Sequence, residues 1–279
     1  MLIACVLLAL NGLFAANSVE NADVDRAWTL LRGGIDDARH SDKRAKAARA
    51  LGLLTDDAQA RSMAEKALTD QSADVRVQAA TALGQMHATA SIPKLKEALK
   101  DKEPTVVLAS ANALYEMRDP VAYEIYYAMV TGQRKTSSGL VQSQLDMLRN
   151  RQQMEKLAFE TGIGFVPFGG MALEAWKTIT SGNSDVVLAQ AIERLGTDPD
   201  PKSHKAIEDA CYDTKWQVRA AAVVALAKRG DPASLDYVVS AMQDDSDTVE
   251  YEAAAATIHL SGKARMGSHR IQRRRAPAH

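Results

Sequence analysis

The stretch DVRVQAATALG, residues 74–84, recurs along this chain. DKRAKAARALG (42–52), TVVLASANALY (105–115) and WQVRAAAVVALA (216–227) carry the same alanine-rich pattern closing on Ala-Leu. A weaker copy, DVVLAQAIERLG, occupies 185–196, and TVEYEAAAATIHL (248–260) is a degenerate one. The closing apolar residues are Leu51, Leu83, Leu114, Leu195, Leu226 and Ile258, separated by 32, 31, 81, 31 and 32 residues. The interval of 81 is two periods of 31 plus 19, so one further unit with an insertion lies between Leu114 and Leu195. A fixed period of this length is the signature of a repeat architecture.

The second half of each unit keeps the same register. Six residues past the mark stand Pro120, Pro201 and Pro232, each preceded by Asp (Asp119, Asp200, Asp231). Asp at the N-cap and Pro at the first helical position open a helix. Nine, twelve and sixteen residues past the mark come Ile92/Leu95/Leu99, Tyr123/Tyr126/Val130, His204/Ile207/Cys211 and Leu235/Val238/Met242, one face of a helix. Each unit is therefore helix–turn–helix with two apolar faces that it cannot bury alone. Stacking the units buries them, which makes the fold an all-α solenoid of antiparallel helix pairs with a period of about 31 residues. Residues 21–38 fit the second helix of a partial first unit, and the last unit shows no apolar second helix.

Asp74-Val75-Arg76 with Ala79, Ala80, Ala82, Leu83 and Gly84, repeated as Val218-Arg219 with Ala221, Ala222, Ala225 and Leu226, resembles bacterial HEAT-like repeats. That variety also occurs in phycobilisome-lyase-type proteins. The resemblance covers residues 40–260 and implies a curved stack used for protein contacts. Deoxyhypusine hydroxylases, of the same type, bind iron through His-Glu pairs, and this chain has no His-Glu dipeptide. Bilin lyases share the repeat, but the repeat marks no chromophore site. Arg76 and Arg219 hold one repeat position. They are expected to form a structural ladder with acidic residues near the turns, such as Asp74 and Asp213, each pair contributing about 0–1 kcal/mol.

Composition narrows the function classes. Hydrophobic residues are 46%, charged residues 25% and aromatics 5%, and there are two cysteines, too few for a disulfide scaffold. The net charge of −1 hides an asymmetry: residues 261–279 hold six basic side chains and no acidic one. The remaining body is acidic, which argues against a nucleic-acid partner. Residues 263–279 read as a basic tail, either without order or folded over the last unit as its cap. No charged side chain precedes Glu20, and residues 2–16 are almost wholly apolar. Fifteen residues fall short of the roughly 20 of a membrane span. They read as the core of a signal peptide over 1–18, although no basic residue leads it. The expected location is exported, periplasmic or secreted. The alternative is a membrane-associated scaffold anchored by 2–16, with the 163–176 loop dipping into lipid.

The domain reading is N-terminal repeats over 21–133, an irregular unit over 134–184 and C-terminal repeats over 185–262. The irregular unit joins a long helical pattern (138–158) to TGIGFVPFGG (161–170). Three of the four phenylalanines, Phe159, Phe165 and Phe168, lie there, with Trp176 nearby. Its glycine spacing matches no nucleotide-binding pattern. Phe165, Phe168 and Trp176 are candidate binding residues. Tyr127 is a fourth: it stands where other units carry Lys96, Glu208 and Val239, beside Tyr123 and Tyr126 in core-facing slots. No His pairs at helical spacing with another His or Cys, and there is no G-x-S-x-G elbow. Cys211 and His204 occupy packed positions. The expected function is a non-catalytic scaffold that binds another protein, with no cofactor, metal or small-molecule substrate. A lyase- or hydroxylase-like HEAT enzyme is the remaining alternative.

Overall fold

Alanine, leucine, arginine, lysine and glutamine, the strongest helix formers, dominate the repeated stretches. The computed structural model describes the backbone of residues 21–131 and 184–275, with the side chains of 21–127 and 188–263. All regular structure among the described residues is helical. The helices are α1 (21–35), α2 (Ser41–Ala50), α3 (Ala58–Ala67), α4 (Ala73–Gln85), α5 (Ile92–Ala98), α6 (Pro104–Glu116), α7 (Pro120–Thr131), α8 (Ser184–Leu195), α9 (Pro201–Ala210), α10 (Trp216–Arg229), α11 (Leu235–Ala241) and α12 (Asp247–Arg275). They form two compact units: Gly33–Val187, and Leu188–His279 together with Met1–Arg32.

In the first unit α4 packs between α2 and α6, while α3 lies against α4, and α5 and α7 against α6. Close stacking demands small residues. Ala47, Ala48, Ala79, Ala80 and Ala82 are fully buried, and a Cβ on Gly84 would stand 2.9 Å from the Ala113 Cα. Leu51, Leu83 and Leu114 are fully buried, and each contributes about 1.5–3 kcal/mol. The helix ends repeat as well. His87 and Arg118 take positive φ (49° and 58°), and Ala88 and Asp119 donate their N–H groups to Leu83 O and Leu114 O, satisfying the last carbonyls of α4 and α6. The N-caps act as their spacing suggests: Asp119, Asp200 and Asp231 accept from the N–H groups of Val121, Lys202 and Ala233 at 3.0, 2.8 and 2.9 Å.

The arginine ladder is present with different partners. Arg76 grips the carboxylate of Asp101, in the next inter-repeat turn, with two bonds of 2.7 and 2.8 Å. Asp74, two residues away on the same helix, does not face it. Arg219 grips Asp244 in the same way at 2.6 and 2.7 Å, and Asp213 serves through its main-chain oxygen at 2.9 Å. Arg44 makes a further rung with Asp70 at 2.8 and 2.9 Å. Asp70 also receives Ser72 N–H on its carboxylate and Arg76 on its main-chain oxygen. Each Asp thus joins the preceding repeat to the start of the next. The Arg76 and Asp101 side chains are 9% and 13% exposed, so this rung is no surface pair.

In the second unit α10 packs against α12, with α9 against α10 and α11 chiefly against α12. Leu226 is fully buried and Gly196 approaches the Ala225 backbone as Gly84 does Ala113. Leu195 is half-buried, and Ile192, one turn earlier, takes the buried slot on α8. On α12 the repeat position belongs to Thr257, not Ile258. Thr257 is fully buried and its hydroxyl bonds Ala253 O at 2.8 Å, whereas Ile258 is half-exposed. Thr257 lies 31 residues past Leu226, restoring the period.

The helix α12 runs on to Arg275; no proline interrupts it before Pro277 and arginine favours helix. Residues 21–32 belong with the C-terminal helices and not with the first repeat. Arg26 Nη2 donates to Val239 O on α11 at 3.3 Å, and Ala27 and Leu31, one turn apart, are fully buried. Residues 251–257 of α12 are buried on every side. A helix so alanine-rich needs cover on both flanks.

Candidate protein-binding surface

The second helices bury a small residue and then a larger one: Ser91 and Leu95, Ser203 and Ile207, Ser234 and Val238. On α7 the buried pair is Ala122 and Ile125. Tyr123 and Tyr126 were expected to face the core. A phenol is bulkier than these slots accept and its hydroxyl needs a partner. Tyr123 is accordingly 53% exposed. Tyr126 is half-buried, with its hydroxyl 2.5 Å from Asn112 Oδ1. Burial, then Tyr115 and Glu116, push that hydroxyl above its ordinary range, so it stays protonated and donates.

The rings gather on Tyr115, near the end of α6. Tyr123 lies 5.5 Å from it, tilted, and Tyr126 meets it edge-on at 5.8 Å. Tyr127, next along α7, is 59% exposed and Tyr115 itself 38%. Four of the chain's seven tyrosines thus stand on two adjoining helices. Tyr115 ends one of the quoted repeat stretches, where other copies carry glycine (Gly52, Gly84, Gly196); that departure was the available signal for it. Phe165, Phe168 and Trp176, like segments 2–16 and 163–176, lie outside the described residues.

Cys211 is buried, its Sγ 3.6 Å from Ile207 O, and burial pushes the thiol up to about 12. A thiol that stays protonated is a poor nucleophile. His204 Nε2 lies 3.2 Å from Glu208 Oε1, one helical turn on. Burial lowers His259, helped by Lys263. Among the described residues no three His, Cys, Asp or Glu side chains are grouped to hold a metal ion, and no helix is long and apolar enough to cross a membrane.

No curated protein matches this sequence. Among solved structures, the complex of CpcE and CpcF of phycocyanin lyase from Nostoc sp. PCC7120 is similar at 15% identity, over 82% of this chain and 93% of that one, with a TM-score of 0.33. Two engineered proteins are similar at 14% and 19% identity, over 85% and 86% of this chain and 97% and 72% of theirs, with TM-scores of 0.28 and 0.26. These likenesses are too distant to bear on function. The model of HEAT repeats matches residues 29–114, 62–131 and 173–258. With that model covering most of the length, and helix pairs recurring where it matches, the chain belongs to the HEAT-repeat family.

Proposed function

We propose that this HEAT-repeat chain is an exported, non-catalytic scaffold that holds a partner protein on the tyrosine face of α6 and α7. One observation carries the reading: Tyr115, Tyr123 and Tyr127 are 38%, 53% and 59% exposed on helices otherwise packed by small and aliphatic side chains. Tyrosine supplies large contact area at small entropic cost, because only two side-chain torsions are fixed. The face is preorganised, since α6 is packed against α4 and α7, so little further ordering opposes association. The buried Cys211 thiol agrees with a role in binding rather than bond chemistry. Export rests on the apolar stretch 2–16.

The test is affinity capture with the full chain, followed by titration of the recovered partner against the parent and a Tyr123→Ser/Tyr127→Ser variant. The variant should bind about tenfold or more weakly, a loss of about 1.4 kcal/mol, with an unchanged thermal midpoint. Equal affinity in a folded variant would place binding elsewhere. Fusion of residues 1–25 to a reporter active only outside the cytoplasm tests export; a silent reporter ends that part of the reading.

A further inference from the structure

A second aromatic surface lies in the C-terminal unit, where the turns before α10 and α12 come together. Tyr212 is 72% exposed and Trp216 is 45% exposed, flanking Asp213. Tyr237, on α11, meets Tyr212 edge-on at 6.2 Å. Arg219 ties the two turns, bonding Asp213 O, Asp244 and Asp245, and the Asp245 side chain is 90% exposed. Open rings beside an open carboxylate suit a guanidinium, which takes the ring face and the oxygen together. The equivalent turns of the N-terminal unit, 70–74 and 101–104, hold no aromatic residue.

The chain carries a matching cation. Residues 188–263 hold thirteen acidic side chains against eight Lys and Arg, whereas 264–275 hold five Arg and no acid. The last described buried residue on α12 is Ser261, and the helix continues to Arg275. At 1.5 Å per residue, Arg270 stands about 35 Å along the helix from Asp247. The arginines are therefore at the far end of α12 from the acidic turn of the same molecule. Reaching such a turn takes another molecule.

We propose that the Tyr212–Trp216–Asp245 face takes the arginine-rich end of α12 from a second copy of the chain, linking molecules head to tail. The contact uses different surfaces on its two sides, so it builds open chains or rings. It is independent of the tyrosine face of α6 and α7.

Sedimentation of the full chain across a concentration series tests this. At low ionic strength the parent should form species larger than a monomer, dissociating when salt is raised to about 0.5 M. Tyr212→Ala/Trp216→Ala and Arg270→Glu/Arg274→Glu should each weaken association about tenfold or more while keeping the parent's thermal midpoint. Mixed, the two variants should pair one to one, because one keeps an intact arginine end and the other an intact face. A folding defect could not produce that complementation. A parent that stays monomeric at low salt, association untouched by either variant, or a mixture that stays monomeric would each overturn the proposal.

Discussion

His87 shows how much a single residue can hold at the end of a repeat. Its φ of 49° lies in the left-handed region, which costs a side-chain-bearing residue roughly 1–2 kcal/mol. The second unit solves the same corner with Gly230, at φ 67°. His87→Gly should therefore stabilise the chain by about 0.5–1 kcal/mol, less than the full strain because glycine also loosens the unfolded chain. Urea unfolding reads this directly, and a lower midpoint would show that the imidazole makes a contact worth more than the strain. Leu83→Ala and Leu226→Ala act in the opposite direction. Both leucines are fully buried, and each truncation should cost about 2–5 kcal/mol in the same assay. A change below about 0.5 kcal/mol would break the repeat register. These leucines were legible because period alone marks them. Tyr123 and Tyr126 were not: helical spacing told which positions come near the core, but not how large a side chain each slot admits.

At the scale of elements, the inter-repeat rungs set how one helix pair meets the next. Arg76 loses four hydrogen bonds if truncated: two to Asp101, one to Asp70 O and one to Gln71 O. Arg76→Ala should cost about 1.5–3 kcal/mol, more than the 0–1 expected of a surface pair. A double-mutant cycle with Asp101→Ala separates the pair from the main-chain bonds. A coupling near zero would mean that Arg76 works through the carbonyls alone. The helix pairs and their Asp caps could be read from sequence because both signals are local. The rung partners were misread because Asp101 is 25 residues from Arg76, while Asp74 is only two away. The placing of α1 was misread for the same reason on a larger scale: Arg26 and Val239 are 213 residues apart, and no pattern within 21–38 names that partner.

Across the whole molecule these rungs make stability depend on acid. The Arg44 guanidinium holds Asp70 below the usual carboxylate range. Burial alone would push Asp101 and Asp244 up, but their arginines and the N–H groups of Glu103 and Ser246 outweigh it and hold both down. Asp37 is drawn to about 2 by the N–H of Arg39, then by His40. Each folded value lies below its unfolded one, so the folded state binds protons less readily. The stabilisation is then complete above about pH 4 and is lost as pH falls through the depressed range. Urea midpoints should hold steady from about pH 7 to about pH 5 and drop below about pH 4. An Arg44→Met/Arg76→Met variant removes two of the groups that depress those carboxylates. Its acid limb should be shallower, even though its stability near neutrality is lower. Parallel limbs for parent and variant would mean that the rungs are not what titrates, and that the acid sensitivity belongs to carboxylates away from the repeat joints.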